Sequence, residues 1–233
     1  MNQITVLPTT TTMTVAPTVA PTVPDHLMAF AIHACAKHDV AHNIDHAVKV
    51  FDNAVSILAI LALDGVTLDP SEIEVFPYIM IGHDWFDHKL ELAGLALPRT
   101  EIHAYYAQHL GPVVADRIMH IHTNCSWSKR ATSQPTVGAR DLLRLILQDA
   151  DWLEAIGDEG LQRCIEYTKH YHNPANDQQL QAKVVEHIIE KLLLMPASMN
   201  YDSTRAFIVT NSIMRPITDY LAKWGTTVGT TAD

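Results

Sequence analysis

The stretch Ile79-Met80-Ile81-Gly82-His83-Asp84-Trp85-Phe86-Asp87-His88-Lys89 places histidines, aspartates and a lysine directly behind an apolar run. At the end of a buried helix, the neighbouring His83 imidazole and Asp84 carboxylate can both face one divalent cation, one giving nitrogen and the other oxygen. With 14 His and 26 Asp+Glu in the chain, adjacent pairs also arise by chance. The weight lies in what converges with this one. In Ala41-His42-Asn43-Ile44-Asp45-His46-Ala47-Val48-Lys49-Val50, two histidines stand four apart and share a helix face, a common metal-ligand spacing and an equally common capping arrangement. In Leu145-Ile146-Leu147-Gln148-Asp149-Ala150-Asp151, a core run leads into carboxylates that are costly to bury unless paired or bound to a cation.

Such groups need rigid carriers, and the 3.6-residue periodicity supplies them. Asp25 is placed to cap a helix through Leu27, Phe30, Ala31 and Ala34. The helix carrying His42 and His46 continues with Val50, Ala54, Ile57, Leu58 and Leu61 until Asp64-Gly65 stops it. Ser71 and Glu74 read as a capping box for the next helix. Its body over 75–81 is too uniformly apolar for the surface, so it belongs at the centre and delivers His83 and Asp84 at its C-terminal end. Helices follow over Ile102 to Leu110 and Val113 to Ile121, then a loop over 124–138. The core run from Leu142 to Ile156, a helix through Leu161 and Ile165, a long one from Gln178 to Met195 and a last one from Ser203 to Trp224 complete the chain. No alternating run demands a strand, so the fold class is all-α. Cys35 and Cys164 read as core residues, as do Met80 and Met195; His33, His38, His170 and His172 read as solvated or capping.

Residues 1–24, uncharged and rich in Thr and Pro, read as a flexible arm; 25–224 form one helical domain and 225–233 a polar tail. A chain of 233 residues buries a core without disulfide staples. Its net charge of −10 argues against a nucleic-acid binder held by phosphate contacts, while leaving room for a local basic pocket. Cys35, Cys125 and Cys164 fit neither a disulfide framework nor a zinc knuckle, which points to a reducing cytoplasm. No apolar run reaches the roughly 18 residues that span a bilayer, and no basic leader precedes one.

Taken in order, His42…His46-x-x-Lys49-Val50, the apolar run ending in His83-Asp84, and Asp149-Ala-Asp151-x-Leu-x-Ala-Ile-Gly157 resemble the HD-domain superfamily of metal-dependent phosphohydrolases. The likeness is to the small, single-domain bacterial HD hydrolases and runs from about Asp25 to Leu221, including Lys191-Leu192-Leu193-Leu194-Met195-Pro196-Ala197-Ser198-Met199. It implies an HD-domain helical bundle with a metal site at its centre. The implied ligands are His46, His83, Asp84 and Asp151, with His42 and Asp149 as runners-up. The chain departs from the family pattern at Asn43, at Cys125 ahead of Ser126-Trp127-Ser128, and at Trp152, where the family often carries Arg.

The resemblance implies a hydrolase in which a Mn, Fe, Co, Ni or Zn ion activates water against a nucleotide or other small phosphoester. In this reading Asp87 serves as base or ligand-orienting group, and Lys89, Arg130 or Arg140 offsets phosphate charge. The partner is a small phosphorylated molecule, with no nucleic acid or membrane; a homo-oligomer is compatible. Two alternatives stand beside it. One is an HD-fold di-iron oxygenase, or a non-phosphate hydrolase or hydratase, with His103, His120 or His122 supplying a second site. The other is a domain that binds metal or nucleotide without catalysis.

Overall fold

The computed structural model describes residues 20–39, 42–130 and 141–225. Among them every regular element is helical, so the expected all-α bundle is what forms. The helices are α1 (Asp25–Ala34), α2 (Ile44–Leu63), α3 (Pro70–Ile81), α4 (His88–Ala93), α5 (Arg99–Leu110), α6 (Pro112–Asn124), α7 (Leu142–Ile156), α8 (Asp158–His172), α9 (Asp177–Glu190), α10 (Met195–Ser198), α11 (Asp202–Thr210) and α12 (Arg215–Trp224). Short 3₁₀ turns stand at Trp127–Lys129 and Leu192–Leu194. Residues 1–19 of the arm, 131–138 of the loop and 226–233 of the tail lie outside the described residues.

The bundle is built around α2, α3 and α7. Asn43 caps α2, its side chain accepting from the His46 backbone N–H at 3.0 Å, and the helix ends at Asp64, before Gly65 at φ +79°. Its buried face runs through Ala47, Val50, Ala54, Ile57 and Leu61 against α7 and α3. At 20 residues with mean hydropathy 1.6, α2 by length and composition alone matches a membrane span, contrary to the sequence reading. Its apolar stripe instead faces the other core helices, with Asp45 and Asp52 exposed. The whole run over 75–81 on α3 is buried, as the uniform hydrophobicity requires.

Several boundaries differ from the periodic reading, each for a local reason. The α3 capping box is Asp69 with Glu72, because Pro70 takes the first helical position and moves the cap upstream of Ser71. Pro24 caps α1, and Asp25 lies in its first turn. The helix expected from Gln178 to Met195 breaks at Lys191, where the backbone turns to φ −131°, five residues before Pro196. The last expected helix is split between α11 and α12, with Ser212 at φ +52° and Pro216 in the first turn of α12.

Asp149 shows how α7 pins the C-terminal segment. Fully buried, it accepts from the Asn200 backbone N–H at 2.7 Å, the Asn200 Nδ2 at 2.8 Å and the Tyr201 N–H at 3.3 Å. Burial raises its pKa even against these donors. Asp149→Ala strands those donors and is expected to cost about 2 kcal/mol in urea unfolding. Metal content should not change, which separates this carboxylate from Asp151.

Candidate metal centre

Three separate elements bring His46, His83, Asp84 and Asp151 together. His46 occupies the first turn of α2. His83 and Asp84 sit in the turn just past the end of α3, at Gly82. Asp151 projects from α7, whose Ala150 carbonyl accepts from Asn53 Nδ2 of α2 at 3.2 Å, fixing the two helices in register. The Nε2 atoms of His46 and His83 are 3.2 Å apart. Asp84 Oδ2 lies 3.3 Å from each of them. Asp151 Oδ1 lies 3.6 Å from His46 Nε2 and 4.0 Å from His83 Nε2. His46, His83 and Asp151 thus form a group that could hold a metal ion, each offering one ligand atom within 4.8 Å of the others.

The surroundings set the donors up for a cation. His83 Nδ1–H donates to the Met80 carbonyl at 2.8 Å, leaving Nε2 to present its lone pair to the cluster. Glu154 Oε2 stands 3.5 Å from His46 Nδ1 and is ion-paired with Arg163, which also packs against that ring nitrogen. Burial works to raise the Glu154 pKa; His46 and Arg163 outweigh it and hold the pKa down. Two imidazole Nε2 atoms 3.2 Å apart, with an oxygen of Asp84 and of Asp151 beside both, make a mixed nitrogen and oxygen donor set that fits a divalent ion. Without such an ion, burial disfavours a charged His83, but Asp84 prevails and carries its pKa up to about 9. Asp84 itself falls well below the carboxylate range: burial opposes this, and the His83 charge overcomes it.

A close approach underlies the turn. A Cβ on Gly82 would lie 1.9 Å from the Tyr106 hydroxyl and 3.0 Å from the Tyr78 carbonyl, so only glycine lets the chain pass from α3 into His83-Asp84 here.

The other residues named from sequence fall elsewhere. His42 does not share a helix face with His46, because α2 starts only at Ile44; its Nδ1 pairs with Asp39 at 2.7 Å, though the residue lines the same cavity. Asp87 caps α4, accepting from the Lys89 N–H at 2.9 Å, and both line the cavity. Arg130 lines a different pocket, and Arg140 lies outside the described residues. His103 is bound to Asp116 at 2.9 Å on the surface, and His120 is exposed. His122 lines the cavity with Nε2–H donating to the Ile79 carbonyl at 2.9 Å, and burial, then the nearby His83, pushes its pKa down to about 3. Cys125 is buried, its thiol donating to the His122 carbonyl at 3.3 Å. Cys164, read as core, is only half-buried and reaches the cavity wall; Met80 and Met195 are buried as expected.

The cluster opens into a cavity of about 600 Å³. Lys89, Arg99, Lys129, Arg163 and Lys191 line it, a concentration of positive charge in a chain of net charge −10. Lys89 stands over the Tyr167 ring at 5.2 Å. Burial lowers the Lys191 pKa; Asp151 opposes the fall, while Lys89 and Arg163 deepen it. Sequence reasoning missed Glu154 and Arg163. Glu154 carried a signal, since it follows Asp151 by three residues and shares its helix face; Arg163 carried none, reaching His46 from 117 residues away. Glu154→Gln keeps the shape but removes the charge behind His46, and a metal titration should show affinity weakened about 10- to 100-fold.

No family model and no curated protein sequence matches the chain. Solved structures do resemble it. YpgQ from Bacillus subtilis, crystallised in complex with ADP, aligns at 22% identity over 85% of this chain and 91% of its own, with a TM-score of 0.62. The selenomethionine form of that protein aligns at 20% identity over 90% of this chain and 97% of its own, with a TM-score of 0.64. A protein from Lactobacillus plantarum aligns at 22% identity over 85% and 95%, with a TM-score of 0.57. At these identities the likeness is one of fold, and the chain is similar in its helical architecture to YpgQ over nearly the full length of both.

Proposed function

We propose that the chain is a metal-dependent phosphohydrolase acting on a nucleotide or other small phosphoester. The observation that carries this reading is the gathering of five Lys and Arg side chains around a His/Asp cluster in one cavity of an otherwise acidic protein. Burial is the main cause of the lowered Lys191 pKa, and Lys89 and Arg163 add a repulsion that an anionic ligand would relieve. The ordered HD-type motifs agree with it, and the ADP bound by YpgQ makes adenine nucleotides the first class to test.

His46, His83, Asp84 and Asp151 would hold the ion, which supplies Lewis acidity toward a water and a phosphoryl oxygen. The remaining work falls to the protein's own side chains. Lys89 and Lys191 bind and orient the phosphoryl group and offset charge developing on its oxygens. Asp87 has one carboxylate oxygen engaged as the α4 cap, and the other takes the proton of the attacking water. Glu154 and Arg163 keep the His46 ring in place.

The test is turnover of nucleoside mono-, di- and triphosphates and p-nitrophenyl phosphate by protein loaded in turn with Mn, Fe, Co, Ni and Zn. Metal-dependent phosphate or pyrophosphate release is expected. Absence of turnover with every metal, together with nucleotide binding that survives Asp84→Ala unchanged, would leave a binding domain and end the proposal.

A further inference from the structure

We propose that His187, together with Lys89 and Lys191, forms a proton-coupled anion subsite in the cavity beside the His/Asp cluster, and that its imidazole takes up one proton as an anionic group docks. The inference rests on the reading of this cavity as an anion site and adds a control of that site by pH. His187 lies in the last turn of α9, and Lys191, four residues on, is the C-cap residue whose N–H donates to the His187 carbonyl at 3.0 Å. Both line the cavity, as does Lys89 of α4. The two ammonium groups are near enough for each to act on the charge of the imidazole.

The chemistry is that of cations without a counter-ion. Among the described residues no carboxylate stands within ion-pair distance of the Lys89 or Lys191 ammonium, and neither ring nitrogen of His187 has a hydrogen-bond partner. The carboxylates that line the cavity are committed elsewhere: Asp84 and Asp151 to the imidazole cluster, Asp87 to the α4 cap. Other groups around His187 leave the balance positive. Lys183, one turn back on α9, is exposed; α8 brings His172, and Tyr167 and Arg163 at the cavity, with Arg163 paired to Glu154. On α12, which also packs against α9, Arg215 pairs with Asp219 at 3.6 Å, Lys223 stands over Trp224, and burial keeps the Tyr220 phenol neutral. Burial, then Lys191, Lys89 and His172, push the His187 pKa down to about 4, so the imidazole is neutral while the cavity is empty of anion. An anion held by the two ammonium groups cancels their repulsion and attracts an imidazolium, which raises the titration point by about one to three units. Between the free and the occupied values, docking draws a proton from solution, and affinity grows as pH falls.

The experiment is an NMR pH titration, from pH 8 to pH 5, of the full-length protein labelled with ¹³C at histidine Cε1, without added metal. Sulfate is the probe, because it stays a dianion throughout and brings no proton of its own. The His187 resonance is identified as the one missing in His187→Gln. Without sulfate it should hold its neutral position down to pH 5; with saturating sulfate it should move toward the imidazolium position at a midpoint about one to three units higher. By calorimetry, a two-unit rise corresponds to a wild-type gain in sulfate affinity between pH 7 and pH 5 about tenfold larger than that of His187→Gln. Lys191→Gln should weaken sulfate binding at least about tenfold. A His187 resonance that ignores sulfate, or one that moves only as much as those of His103 and His120 on the outer surface, overturns the proposal. So does a sulfate response that Lys191→Gln leaves unchanged, since the anion then sits elsewhere. Turnover plays no part in these readouts: a silent His187 in a protein that hydrolyses phosphoesters ends this inference alone, and a responsive one in a protein without turnover upholds the subsite and removes the hydrolase.

Discussion

On the proposed function, Asp84→Ala should lower phosphoester turnover by on the order of a thousandfold and remove most of the metal taken up by the wild type, read by a phosphate-release assay and by elemental analysis of the same sample. Asp84 Oδ2 is 3.3 Å from both imidazole nitrogens, so no other single carboxylate in the cluster stands equally close to both. The same variant should change the pH dependence of metal uptake. In the metal-free protein His83 titrates at about 9 because the Asp84 charge overcomes the effect of burial. An ion must displace that proton, so wild-type affinity should rise about tenfold per pH unit as pH climbs toward 9. The sign is opposite for stability. The folded-state pKa is raised, so the His83–Asp84 pair stabilises the metal-free fold below the ordinary histidine value near 6.5 and loses that contribution as pH rises through about 9. Thermal scans of metal-free protein at pH 6 and pH 9.5 check this. Equal melting temperatures, after the Asp84→Ala protein is used as the baseline, would contradict the pairing.

Gly82→Ala should cost about 3 kcal/mol and lower the melting temperature by roughly 6–12 °C. The added methyl would fall 1.9 Å from the Tyr106 hydroxyl and 3.1 Å from His122 Cε1, so either the aromatic ring or the turn bearing His83 must shift. Tyr106 is fully buried and its hydroxyl has no hydrogen-bond partner, so Tyr106→Phe by itself should be mild. In the double variant the offending oxygen is gone, and more than half of the lost stability should return. The Tyr78 carbonyl, 3.0 Å from the new Cβ, keeps the rescue incomplete. Full additivity of the two changes would show that the clash lies elsewhere.

The helices that carry the cluster were readable because each has a strong local cause. Uniform hydrophobicity over 75–81 placed α3 in the core, and Asp64-Gly65 ended α2 where the backbone turns to positive φ at Gly65. The convergence of His46, His83, Asp84 and Asp151 was implied by the resemblance to the HD motifs, and the structure brings an oxygen of each aspartate within 4.0 Å of both imidazole Nε2 atoms. Local pattern failed where neighbouring choices were nearly equivalent. His42 and His46 have the spacing of a shared face, but the face requires a helix that includes both, and the Asn43 cap starts α2 between them. Asp149 and Asp151 are alike in sequence; on α7 their side chains project about 200° apart, one toward Asn200 and the other toward the imidazoles.

Residue type and periodicity therefore determined the all-helical class and the central place of α3, since these follow from short-range sterics and burial, while the choice of His46 over His42 and Asp151 over Asp149 came from the resemblance to the HD motifs. The Glu154–Arg163 support behind His46 and the cationic wall of the cavity were decided by the packing of α7, α8 and the residues around Lys191. Those contacts join residues far apart in the chain, and no local propensity encodes which side chains the bundle will set face to face.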